Sequence, residues 1–169
     1  IGKQLGYDVT IVMPSSMSDE RKALIRSFGA ELLLLEEGGM QAAVDKAKEL
    51  AATGEYYMPD QFSNPSNPKM HEETTGPEIL ESLDSVDVFV AGIGTGGTVT
   101  GVGRALKAKN KDTVVVGIEP AESPLITEGK AGGHKIQGIG ANFIPGNYDP
   151  DVVDEVITVT SEEALEMAR

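Results

Sequence analysis

Apolar positions along this chain follow two rhythms that take turns. Residues 8–13 form a short run rich in β-branched side chains, closed by Pro14, and predict a strand. Ser18, Asp19 and Glu20 then supply an N-cap and acids for the positive end of a helix. That helix carries Leu24 and Phe28 four residues apart and is expected to stop at Gly29. Residues 31–35 are almost continuously apolar, as a buried strand requires. Met40, Ala43, Val44, Ala47, Leu50 and Ala51 keep helical spacing up to Gly54, and residues 56–58 read as a third short strand. The first third is therefore expected to run β-α-β-α-β.

Residues 59–68 hold three prolines and two asparagines, turn chemistry that argues against any regular element and separates the first unit from the rest. A helical stretch broken at Gly76-Pro77 is expected next. A strand over 86–91, a glycine loop, a helix reaching Asn110 and a strand over 113–119 follow. Residues 121–150, rich in Gly and Pro, are expected to form a long loop region before a last strand over 155–159. The closing stretch from Ser161 begins as a helix and stops without a C-cap, and the chain opens on Ile1 rather than Met, so both ends read as cut. Strands alternating with helices predict an α/β fold with mainly parallel sheets covered by helices on both faces.

Composition narrows the function classes. The 169 residues, 40% of them hydrophobic, can build one domain or two small lobes. A formal net charge of -13 would repel a phosphate backbone or an anionic lipid surface, which argues against nucleic acid and membrane partners. No apolar run approaches the roughly 18 residues of a membrane helix, and no charged-then-apolar leader opens the sequence, so a cytoplasmic location is expected. The absence of cysteine removes disulfides, thiolate nucleophiles and thiolate metal ligands. His71 and His134 are too few for a histidine-based zinc site, and no metal is expected.

The strongest local signal lies between a strand and a helix, where Gly92, Gly94, Thr95, Gly96, Gly97, Thr98 and Gly101 crowd together. Free backbone N–H groups and the positive end of the helix converge there and favour an anion. The spacing of Gly92, Gly94 and Gly97 fits a dinucleotide fingerprint, with Glu119 at the end of the next strand in the position of a ribose-binding acid. The hydroxyls of Thr95 and Thr98 fit a terminal phosphate monoester better than a pyrophosphate. A third reading takes the glycines only as sites of close helix-strand packing.

A second motif sits upstream: Gln61-Phe62-Ser63-Asn64-Pro65-Ser66-Asn67-Pro68, then His71 and Thr74-Thr75-Gly76-Pro77-Glu78-Ile79. Together with residues 94–104 and the segment from His134 through Gly138 and Gly140 to Pro145, it closely resembles the cysteine synthase (O-acetylserine sulfhydrylase) family. Cystathionine β-synthase shares much of this pattern. The resemblance covers nearly the whole chain. It implies a two-lobed fold of the tryptophan-synthase-β type, with residues 1–62 part of the smaller N-terminal lobe and residues 63–169 part of the larger C-terminal one. Pyridoxal 5'-phosphate would lie between the lobes, and O-acetyl-L-serine and sulfide would become L-cysteine and acetate.

The resemblance further implies that Gly94, Thr95, Gly96, Gly97 and Thr98 bind the cofactor phosphate. It places Gln61 and Gly138 on the substrate side, and gives His71 no catalytic role. A homodimer and docking of the C-terminal tail of serine acetyltransferase are implied for the full-length enzyme. The family's Schiff-base lysine corresponds to none of the lysines here, so this segment alone is expected to be inactive, with no catalytic residue of its own. Leu80 stands where the family often has tryptophan, and Asn142 where glycine is common. Competing readings are cystathionine β-synthase acting on serine and homocysteine, a nicotinamide-dinucleotide domain, and a non-catalytic interaction module.

Overall fold

A computed structural model describes residues 1–169, which divide into two compact units, Ile1–Met58 and Pro59–Arg169. The first unit runs β1 (Thr10–Pro14), α1 (Asp19–Ser27), β2 (Glu31–Leu35) and α2 (Gly39–Ala52), with β1 and β2 paired in parallel from Thr10 against Glu31. The Ser18 hydroxyl caps α1 by accepting from the Arg21 N–H at 3.4 Å, and Gly29, at φ +76°, ends it. Met13, Ala43 and Val44 form the buried centre of this unit.

One expectation fails here. Residues 56–58 are not a strand: the sheet consists of β1 and β2 alone, and no ladder pairs the backbone of a segment whose Tyr57 is 86% exposed. Leu24 and Phe28, the apolar pair of α1, face solvent.

The second unit runs α3 (Ser66–Met70), α4 (Gly76–Ser82), β3 (Val88–Gly92), α5 (Gly97–Lys109), β4 (Val114–Pro120), α6 (Leu125–Glu128), β5 (Glu155–Val159) and α7 (Ser161–Met167). Its three strands are parallel in the order β3-β4-β5, with Val88 opposite Val114 and Gly117 opposite Val156. Ile93, Val99, Val115 and Val153 make its core, against which Phe89, Ala91, Ile126, Tyr148 and Val156 pack. The fold class is thus α/β with parallel sheets flanked by helices. Cover on both faces holds for the central strand β4, which buries the oppositely facing Val115 and Val116, and not for the edge strand β3, where Val88 and Val90 of one face remain exposed, as do Val114 and Ile157.

The helical run begins at Ser66, inside the segment read as turn, because Pro65, just ahead of the helix, and Pro68, in its first turn, need no intrahelical N–H bond. It is also not broken at Gly76-Pro77. Residues His71–Thr75 wind as a π-helical turn, in which the Gly76 N–H donates to the His71 carbonyl, and α4 continues directly from it. The wider turn accommodates the proline that cannot donate. Within the expected loop region, residues 125–128 instead form α6, and Thr160 with Glu163 caps α7 reciprocally. No helix is long and apolar enough to cross a membrane.

Candidate functional site

The β3–α5 turn is shaped by what surrounds it. Gly96 sits at φ +82°, and a Cβ there would meet the backbone of Tyr148 at 2.6 Å. A Cβ on Gly97 would collide with the side-chain amide of Asn67, one on Gly94 with the carbonyl of Gly138, and one on Gly101 with the carbonyl of Pro68. The small residues therefore let three other segments close onto the turn. Buried Thr100 then ties α5 to one of them: its hydroxyl donates to the Asn147 carbonyl at 2.9 Å and accepts from the Asp149 N–H at 3.1 Å.

The donors of the turn remain available. The first bond inside the α5 register is Thr100 N–H to the Gly96 carbonyl, and the N–H groups of Gly94, Thr95, Gly96, Gly97 and Thr98 donate to no protein acceptor. Thr95 Oγ1 accepts from Asn67 Nδ2 at 2.9 Å, which leaves its own proton free to donate. Thr98 is exposed, with its Oγ1 3.3 Å from His71 Nε2. Five N–H groups and the Thr95 hydroxyl at the positive end of a helix of 13 residues have no protein acceptor, and with the Thr98 hydroxyl, whose bond to His71 takes its direction from the imidazole tautomer, they suit a phosphate monoester.

The residues singled out upstream and downstream come to this turn in different ways. Gly138, at φ +92°, is exposed and brings its carbonyl against Gly94, while the adjoining Gly140 N–H donates to the Ile93 carbonyl at 3.1 Å. Gln61 has an exposed side chain, and its backbone carbonyl is the anchor, accepting from Asn67 Nδ2 at 2.9 Å and Asn147 Nδ2 at 2.8 Å. His71 is half-buried and bridges the π turn to the loop, its Nδ1 2.9 Å from Thr75 Oγ1. Asn67 and Asn147 were not distinguishable as site residues in the sequence, where asparagine before Pro68 or after Gly146 reads as turn chemistry. Asn142, in place of the common glycine, adopts φ +62°, and its Oδ1 accepts from Ser123 Oγ at 2.6 Å.

The acid required by a dinucleotide reading is spent elsewhere. Glu119 is 3% exposed, and its carboxylate accepts from the N–H groups of Ile126 and Thr127 at 2.8 and 3.0 Å and from the Thr127 hydroxyl at 2.6 Å. It caps α6 and holds nothing out for a ribose. Nearby, burial pushes the Tyr148 hydroxyl up, and the charges of Glu119 and Asp149 act in the same direction. Arg104, 2.6 Å from Asp149, holds that carboxyl below the usual range.

Comparison with known proteins adds a family to this geometry. The family described as "Pyridoxal-phosphate dependent enzyme" matches residues 1–169. Cysteine synthase A of Escherichia coli (strain K12) is 51% identical over 97% of this chain and 54% of its own length. Cysteine synthase of Staphylococcus aureus (strain N315) is 46% identical over the same shares. The crystal structure of cysteine synthase from Entamoeba histolytica superposes with a TM-score of 0.90 at 42% identity, over 99% of this chain and 51% of that one. The chain thus spans about half the length of the curated relatives it matches.

Proposed function

This chain belongs to the family of pyridoxal-phosphate dependent enzymes, and from that premise we propose that the whole protein converts O-acetyl-L-serine and sulfide to L-cysteine and acetate. The observation that carries the cofactor role of these residues is the set of unengaged donors at Gly94–Thr98. The likeness to cysteine synthases of Escherichia coli and Staphylococcus aureus supports the choice of substrates.

In this reading the N–H groups of Gly94, Thr95, Gly96, Gly97 and Thr98 and the hydroxyls of Thr95 and Thr98 hold the phosphate. The cofactor, when bound, withdraws electrons from the substrate Cα so that a group on Cβ can leave and a nucleophile can add. Gln61 offers an amide to the substrate carboxylate, a group that hydrogen-bonds without titrating over the working pH range. Gly138, whose carbonyl lies against Gly94 and which has open space where a Cβ would stand, lets its segment adjust as substrate enters.

None of the ten lysines of this chain is buried, and Lys22, Lys46, Lys107 and Lys130 lie within 3.1 Å of carboxylates. A nucleophilic lysine needs desolvation or a cationic neighbour, so residues 1–169 alone are expected to be inactive. Residues 1–62 are assigned to the smaller N-terminal lobe and residues 63–169 to the larger one. A cytoplasmic homodimer that receives the serine acetyltransferase tail is part of the same proposal, and its support is the family resemblance.

The test is turnover by the full-length protein. Cysteine formation from O-acetyl-L-serine and sulfide, with little cystathionine from serine and homocysteine, is expected. The reverse preference would replace the proposal with cystathionine β-synthase.

A further inference from the structure

We infer that Asn67 is a positioning residue for the phosphate site, fixing the Thr95 hydroxyl so that its proton points to the anion. The inference rests on the reading of Gly94–Thr98 as the phosphate loop and adds a residue which that reading does not contain.

Three neighbours settle the Asn67 amide. The Gln61 carbonyl can only accept, so the atom 2.9 Å from it is the nitrogen, Nδ2. The same nitrogen is 2.9 Å from Thr95 Oγ1. The amide also lies so close to Gly97 that a Cβ there would overlap it, which leaves the side chain no room to turn. With both its hydrogens assigned, Nδ2 is a donor to Thr95 and never an acceptor from it. The Thr95 proton must then go elsewhere, and the unengaged N–H groups of its own turn mark where an anion would take it. A threonine hydroxyl free to rotate would have to be ordered as the phosphate binds; here the ordering is built in. The anchor itself is secure without Asn67, because the Gln61 carbonyl keeps a second donor, Asn147 Nδ2 at 2.8 Å. Removing the Asn67 amide should therefore strike Thr95 harder than it strikes the packing around Gln61.

The experiment is a double-mutant cycle in the full-length protein, with Asn67→Ala, Thr95→Val and the pair, read as the dissociation constant of pyridoxal phosphate from the refilled apoenzyme. Each single variant should weaken binding about ten-fold, and the pair should be no weaker than Thr95→Val by more than about two-fold. The phosphorus NMR resonance of the bound phosphate should shift in Asn67→Ala as it does in Thr95→Val, while Thr95→Ser, which keeps the hydroxyl, should hold the wild-type position. Should Asn67→Ala fail to fold, Asn67→Asp keeps the shape, replaces the donor with an acceptor and enters the same cycle with at least as large a loss. Losses that multiply in the pair, or wild-type affinity in the Asn67 variants, would overturn the inference. A cycle that couples as expected in a protein making no cysteine would leave this inference standing and refute the substrate proposal alone.

Discussion

Two glycine-rich stretches of the second unit, residues 92–103 and 129–140, share a composition and differ in what surrounds them. In the first, added Cβ atoms would run into the Gly138 carbonyl, the Tyr148 backbone, the Asn67 amide and the Pro68 carbonyl, and Val99, Thr100 and Val102 are almost wholly buried. In the second, Gly132 and Gly140 are crowded in the same way, by the Glu122 carbonyl and by His134 and Pro120, but Gly129, Gly133 and Gly138 have nothing within 4 Å of a would-be Cβ. Glycine serves close packing throughout the first stretch, whereas at Gly129, Gly133 and Gly138 of the second it leaves open space. A phosphate loop must hold its donors in place before the ligand arrives, whereas a segment beside a substrate gains from room to move. Under the proposed function, the contrast fits anchoring by residues 92–103 and adjustment at the open glycines Gly129, Gly133 and Gly138.

The sharpest way to break this contrast is to fill the crowded side. Gly101→Ala places a methyl against the Pro68 carbonyl of α3 and the Glu72 N–H of the π-helical turn, backbone atoms that cannot swing aside as a side-chain tip can. A loss of about 3 kcal/mol is expected in urea unfolding of the full-length protein. Thr100→Val comes next, because it keeps the volume but leaves the buried Asn147 carbonyl and the Asp149 N–H without their shared partner, at a cost of about 2 kcal/mol.

Smaller still is the acid dependence of the tie at the far end of α5. Asp154 accepts from Lys107 and from the Val115 N–H, and these bonds, Lys107 first, hold its carboxyl below the usual range. A depressed folded value means that the stabilisation is present above the ordinary aspartate range and is lost as pH falls through the folded value. For so exposed a pair it amounts to less than about 1 kcal/mol. Asp154→Asn should remove this part of the acid-side slope in stability measured against pH. Least of all, Gly133→Ala on the open side should stay within about 0.5 kcal/mol of wild type. A large loss there would erase the contrast.

How far the chain was legible depends on how local each cause is. The strands over 31–35 and 155–159 fall where their apolar runs placed them, and α1 starts at its Ser18 cap, because these signals act within a few residues. The glycine turn was legible for the same reason. What escaped depends on partners distant in sequence. Residues 56–58 have strand composition but no neighbouring strand, and composition cannot supply one. The four-residue α6 is held by Glu119, six residues before its start and on the preceding strand, whose sequence position suggested a ribose acid. The π turn before Pro77 and the role of Asn67 lie where α5 packs on the 66–76 run, a contact marked in the sequence by Gly76, Gly97 and Gly101.

The central claim, that Gly94–Thr98 grips the phosphate of the cofactor, is tested most directly by comparing pyridoxal phosphate with phosphate-free pyridoxal. Dissociation constants of both would be measured on full-length apoenzyme, wild type and Thr98→Val. Loss of one hydroxyl bond to a charged phosphate should weaken pyridoxal phosphate about ten- to a hundred-fold and leave pyridoxal unchanged. Equal changes for the two ligands, or none for either, would contradict the assignment of the loop.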